Sequence, residues 1–213
     1  MSISGETTVF IKGVRQRTDA FIRGQQLTTV VDLETLTATV IDHSAKRAQI
    51  FRLESVSLVR GGRQGEVVVG LEPTGTTRGI AGLTCSEYRV AVGFEEVETR
   101  SARTPLIEGT VWIAPEGNGA GEVHVFYARA RDRRVAVGDP RATRVDDLRS
   151  FALTSLHARA SEEGVVCGMQ IDLGDSATTR EVASITSEVT KVSSSPVDEN
   201  LFAVPAGYLV AQP

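Results

Sequence analysis

Val165, Cys167, Met169, Ile171 and Leu173 alternate with Val166, Gly168, Gln170 and Asp172. A repeat of two is that of an extended strand, whose successive side chains point to opposite faces. This stretch predicts a strand with one face on a core and the other facing solvent. A chain that carries such a strand must supply a sheet around it.

The first half supplies the neighbours. Thr7 to Lys12 is β-prone and Gly13 stops it. Val14 to Arg23 is a second extended run, ended by Gly24. Leu27, Thr29, Val31 and Leu33 alternate with Thr28, Val30 and Asp32, and Leu36, Ala38 and Val40 continue the pattern to Ile41. Asp32-Leu33-Glu34-Thr35 between them reads as a tight turn. Ala48 to Leu53 and Val56 to Val59 are short β-prone runs. Gly61-Gly62-Arg63-Gln64-Gly65 is a flexible connection before a strand from Glu66 to Leu71. Leu83 to Val92 and Thr110 to Ala114 are further strands, with Glu95-Glu96-Val97-Glu98 as a solvated acidic strand end. Short strands at regular spacing, separated by turn signals, predict an antiparallel meander.

The period then changes. Val145, Leu148, Ala152, Leu156 and Arg159 lie three or four apart, the stripe of an amphipathic helix. Asp139-Pro140 precedes it and Gly164 follows it, as start and stop signals. Val123 to Arg134 fits both periods and is read as a helix. Val182 to Val192 also fits both, and its β-branched content makes it a strand. A turn from Pro196 leads into an apolar anchor, Leu201 to Pro205. Nothing divides the chain and nothing repeats, so residues 1–213 are read as a single α+β domain.

Composition closes off several classes. A chain of 213 residues buries enough surface to need no metal or disulfide staple. With 23 basic and 27 acidic residues the net charge is -4, which speaks against a whole-chain nucleic-acid binder. Apolar residues at 41% and charged residues at 23% are ordinary for a folded domain. Aromatics at 5% are a thin supply for stacking platforms. No apolar stretch approaches the length of a transmembrane helix. Met1-Ser2-Ile3-Ser4-Gly5 has the character of no secretion leader, which leaves a cytoplasmic protein or a mature exported chain as the two expectations.

Chemistry is sparse. His43, His124 and His157 are scattered with no HExxH spacing, and there is no GxSxG elbow. Gly117-Asn118-Gly119-Ala120-Gly121 lacks the lysine and hydroxyl of a phosphate loop and reads as a connector. No metal, cofactor or catalytic constellation is indicated, so the chain is expected not to be an enzyme. Arg129, Arg131, Arg133, Arg134, Arg141, Arg144 and Arg149 crowd the helical insert, interleaved with Asp132, Asp139, Asp146 and Asp147. Mixed charge of this kind is read first as a solvated face, with anion binding as the alternative. Cys85 and Cys167 stand eighty-two residues apart, a spacing of neither a zinc site nor a redox pair. They are two buried thiols or, in an exported protein, a disulfide closing a long loop.

One stretch carries a resemblance. Leu71-Glu72-Pro73-Thr74-Gly75-Thr76-Thr77-Arg78-Gly79-Ile80-Ala81-Gly82-Leu83-Thr84-Cys85-Ser86-Glu87-Tyr88-Arg89-Val90 resembles the T-x-x-I-A-G-x-x-C-x-x-Y signature of a bacterial family of unknown function. The tryptophan strand Thr110 to Ala114, the upstream segments Val30 to Thr35 and Val40 to Asp42, and the anchor Leu201 to Tyr208 follow that family's order. The family is similar in layout to the lipoprotein-carrier superfamily of LolA, LolB, LppX and RseB types. The resemblance implies a strongly curved antiparallel sheet, a half-open barrel, with helices covering the concave face over an apolar cavity. It implies a non-enzymatic periplasmic or exported protein that binds a lipid, an acyl chain or a lipidated partner protein. On that reading Leu27, Val31, Val40, Trp112, Phe151, Leu156, Met169 and Ile171 are the cavity candidates, and Cys85 and Cys167 have a packing or disulfide role. The alternative is an interaction module of the cell envelope that holds no ligand and meets a partner protein through a sheet edge or the arginine-rich insert.

Overall fold

Hairpin chemistry sets the architecture of the first five strands. In the computed structural model, which describes residues 5–22, 24–60, 62–97, 104–115, 119–141, 147–174 and 181–211, they are β1 (Gly5–Lys12), β2 (Arg15–Ile22), β3 (Gln25–Asp32), β4 (Thr37–Asp42) and β5 (Arg47–Arg52). Each pairs antiparallel with the next. Gly13 takes the positive φ of 57° that the β1–β2 turn requires. The Asp32 carboxylate accepts the Glu34 and Thr35 backbone N–H groups at 2.8 and 3.1 Å, which closes the β3–β4 turn. A last strand, β12 (Leu209–Ala211), returns from the C-terminal region to lie parallel to β5. The order of this first sheet is β1-β2-β3-β4-β5-β12.

The second sheet is antiparallel throughout. It holds β6 (Val59–Arg60), β7 (Arg63–Ile80), β8 (Leu83–Glu96), β9 (Thr104–Ala114), β10 (Val165–Gly174) and β11 (Glu181–Glu188), in the order β11-β10-β9-β8-β7-β6. Two helices, α1 (Ala120–Asp132) and α2 (Asp147–Ser161), are inserted between β9 and β10. The fold is α+β, mostly sheet. The alternating stretch at Val165 is β10, the ambiguous Val123 segment is helical, and the segment after Val182 is a strand.

Three differences have physical causes. Sequence ended a strand at Leu71, because Pro73, Gly75 and the threonines beside them read as turn residues. β7 instead continues to Ile80, and its pairing with β8 slips between Pro73 and Thr77, where the proline's missing N–H is tolerated. Ile80 pairs with Leu83 around Ala81 and Gly82, whose φ values of 51° and 79° make the two-residue turn that suits the twist of paired strands. Of the Val56 to Val59 run only Val59 is in a strand, and Val56 instead donates its N–H to the Arg134 carbonyl at 2.8 Å. β12 is a short strand that its neighbour β5 creates, with no alternation of its own to announce it. Glu98, Gly117, Asn118, Arg144, Val145 and Asp146 lie outside the described residues.

The core is divided. Val31 and Ala38 of the first sheet and Leu33 of the β3–β4 turn pack with Phe126, Tyr127, Ala130, Val135 and, from α2, Ala158. Val90, Val92, Phe94, Leu106, Ile107, Val111, Ile113 and Ile171 of the second sheet pack with Ala152, Leu156 and Ala160 of α2. A small third cluster holds Ile80, Cys85, Ala114 and Cys167. The helices also pack on each other. After β11 the chain crosses the face of the first sheet opposite α1 as a strap. Lys12 Nζ donates to the Val197 carbonyl at 3.0 Å, Arg17 donates to the Leu201 carbonyl at 2.5 Å, and His43 and Tyr208 meet at 3.0 Å. Among the described residues no helix is long and apolar enough to cross a membrane.

Candidate functional site

Register turns the alternation of the second sheet into a wall. Leu71, Val90, Gly109, Ile171 and Ile185 form one row across five strands. Val69, Val92, Ile107, Leu173 and Ala183 form the next. Tyr88, Val111 and Met169 lie in a third row on the same face. Five strands at about 4.8 Å spacing span roughly 19 Å. The helix laid on them is about 10 Å wide. α2 runs across the wall and packs against β7, β8, β9 and β10.

Burial follows this geometry. Val90, Val92, Ile107, Val111 and Ile171, under the helix, are buried. Val67, Val69 and Leu71 on β7, Tyr88 on β8, Met169 and Leu173 on β10 and Ile185 on β11 are only partly buried. They form the partly exposed apolar fringe of the wall on which α2 packs. The helix seats on the wall through Ala152, Leu156 and Ala160, spaced by four, so two small residues bring its backbone close. Gly109 in the central row has no alternative. A Cβ there would stand 2.2 Å from the Gln170 carbonyl oxygen, and its φ of +148° disfavours side chains.

The other side of α2 is polar. Thr154 accepts the Val137 N–H at 2.9 Å and donates to the Ser150 carbonyl at 3.1 Å. Among the described residues the buried Ser155 hydroxyl has no hydrogen-bond partner. His157 stacks on Tyr127 of α1, ring centroids 4.8 Å apart and planes 19° from parallel. Burial pushes the His157 imidazole down to about 4, which keeps it neutral, and pushes the Tyr127 phenol up to about 12 although the Gln16 side chain bonds it.

The sequence-derived cavity candidates divide among three places. Leu156, Met169 and Ile171 meet on the wall. Phe151 is buried on α2. Val31 packs under α1, and Val40 is buried on the same face of the first sheet, with the partly buried Leu27. Trp112 points away from the wall, since its neighbours Val111 and Ile113 point into it. The Arg78 guanidinium lies 4.2 Å from the Trp112 ring centroid and 3.2 Å from the Glu188 carboxylate. Cys85 and Cys167 lie on the Trp112 side and are joined by a disulfide, Cα atoms 6.7 Å apart. It links β8 to β10 across the end of the intervening β9. The fringe residues Val69, Leu71, Tyr88 and Ile185 are not among the cavity candidates read from sequence, although Tyr88 closes the I-A-G-x-x-C-x-x-Y signature. Their alternation was visible in the strands from Glu66 and from Leu83, but which rows align depends on register across the long hairpin.

The histidines are used separately: His43 between Thr28 and Tyr208, His124 on Ser161, His157 on Tyr127. Among the described residues no group of three His, Cys, Asp or Glu side chains could hold a metal ion. Compared with protein-family models, with curated proteins and with solved structures, the chain finds no match.

Proposed function

We propose that this protein is a non-enzymatic carrier that holds a lipid or acyl chain on the α2-covered wall of the second sheet. On this reading the two sheets form the half-open barrel of a lipoprotein-carrier-like domain, and the helices cover its concave face. The carrying observation is the incomplete burial of the wall: around the buried residues under α2, Leu71, Tyr88, Met169 and Ile185 are only half-buried. Apolar area left beside a helix is where a flexible hydrocarbon gains most by leaving water. The small residues and the buried Ser155 hydroxyl on α2 favour a cover that can shift to widen the groove. A disulfide persists in oxidising compartments, which supports a periplasmic or exported protein.

The test is native mass spectrometry of protein purified from cells, with solvent extraction of what it carries. An acyl-chain adduct, lost in the Leu71→Glu, Ile185→Glu double variant, is the expected result. A clean apo mass together with no uptake of a fluorescent fatty acid would overturn the proposal and leave an envelope interaction module as the better reading.

A further inference from the structure

The opposite side of the molecule carries a second, independent feature. On the strap face of the first sheet, Lys12 of β1 and Arg15 of β2 are cross-strand partners. Both converge on one carboxylate of the strap. Lys12 Nζ stands 2.8 Å from Glu199 Oε1, and Arg15 Nη2 pairs with Glu199 Oε2. The Arg15 guanidinium also lies 4.9 Å from the Phe202 ring centroid. Next to this fork is a groove of about 210 Å³ lined by Arg15, Asp32, Thr37, Thr39, Glu199 and Phe202, among others.

We propose that this fork is an oxyanion-binding site which Glu199 occupies in cis, and that its ligand is a small phosphate-bearing molecule whose hydroxylated body lies in the adjoining groove. The arrangement is that of a ligand site with its own blocker. Two cations grip the two oxygens of one carboxylate, the geometry that a phosphate presents with more charge. The grip is weak, because the Glu199 side chain is 55% exposed and exposed ion pairs contribute little. A stronger anion can therefore displace it. Displacement leaves the strap attached through Lys12 to the Val197 carbonyl, Arg17 to the Leu201 carbonyl, and His43 to Tyr208. Asp32 limits the charge the site can take, since its carboxylate faces the same groove while capping the Glu34 turn. With Glu199 gone, two cations oppose one carboxylate. The Thr37 and Thr39 side chains and the Phe202 ring line the groove with hydroxyls and an aromatic face, which suit a neutral polyol body.

The experiment is isothermal titration of the full chain at low salt with inorganic phosphate and with glycerol 3-phosphate. The Glu199→Gln variant is expected to bind phosphate about tenfold more tightly than the natural chain, the combined weight of two exposed ion pairs. Glycerol 3-phosphate is expected to bind more tightly than phosphate, and Lys12→Gln or Arg15→Gln added to Glu199→Gln should remove binding of both. Equal affinity in the natural chain and Glu199→Gln, no binding by either, or binding that survives loss of Lys12 and Arg15 would each overturn the proposal. Circular dichroism on every variant confirms that the sheet is intact. The site shares no residue with the α2 wall, so its failure leaves the carrier reading untouched.

Discussion

Ser155 is 2% exposed, and among the described residues its hydroxyl has no partner. A buried polar group without a hydrogen bond costs about 1–3 kcal/mol relative to leaving it in water. Ser155→Ala keeps the shape of the site and removes that cost, and alanine adds a few tenths of a kcal/mol in helix propensity. The variant should be more stable by about 1 kcal/mol in urea unfolding, whereas a loss of stability would show that the hydroxyl has a partner after all. Gly109 argues in the other direction. The added methyl of Gly109→Ala would meet the Gln170 carbonyl at 2.2 Å and the Ile171 Cα at 2.8 Å, both backbone atoms that cannot turn aside. The cost should be about 3 kcal/mol or more, from strain and lost pairing together. A midpoint within error of the natural chain would mean that β9 and β10 do not approach as closely as described. Neither residue is legible in sequence. A serine in a helix and a glycine in a strand gain their meaning from what the partner strand puts opposite them.

The elements themselves were largely legible, and the exceptions are instructive. β3, β4 and β10 announce themselves because each has a buried face, which writes the period of two into the residues. The outer half of β7 is exposed on both faces from Glu72 to Gly79, so no such period is written there and turn-like residues dominate the reading. α1 was ambiguous because Val123, Val125 and Tyr127 alternate while Val123, Phe126 and Ala130 follow a helical stripe. The structure resolves this with Phe126, Tyr127 and Ala130 buried and Val125 exposed. The packing of α1 on α2 carries a pH dependence. Burial lowers His157 to about 4 from its ordinary 6.5, so the unfolded chain takes up this proton before the folded one does. The stability it contributes is complete above pH 6.5 and is lost as the pH falls towards 4. The side chain is not wholly enclosed, which holds the expected loss to about 2 kcal/mol. His157→Phe keeps a ring against Tyr127 and removes the proton, so its unfolding midpoint should change less between pH 7 and pH 4.5. Parallel pH profiles for the two proteins would place the acid sensitivity elsewhere, beginning with Glu199, which Lys12 and Arg15 hold below the usual carboxylate range.

At the scale of the whole molecule, local pattern gives way to long-range placement. Sequence foresaw a meander with a helical insert, but not two separate sheets, nor a strap running back over the first sheet to end beside β5. Those follow from contacts between residues more than a hundred positions apart, such as Lys12 with Val197. The candidate site was legible for the same reason only in part. Leu156, Met169 and Ile171 share a wall, while Trp112, attractive as the lone tryptophan, belongs to the other face because β9 alternates. The disulfide is the strongest long-range tie and gives the last prediction. Cys85 and Cys167 are separated by 82 positions, and the loop they close contains most of β8, all of β9 and both helices. Closing a loop of that length removes conformational freedom from the unfolded chain worth about 4 kcal/mol. Its ends sit at the buried cluster of Ile80 and Ala114, at the end of β9 from which the chain departs towards the helices. Reduction should therefore lower the unfolding free energy by about 4 kcal/mol, and the loss should fall on α1 and α2 together with β9 and β10. Guanidinium titrations with and without reductant, followed by helix and tryptophan signals, measure both parts. Coincident transitions shifted to lower denaturant are expected. Alkylation of both thiols in the unreduced protein would show the tie to be absent, and with it the strongest argument for an oxidising compartment.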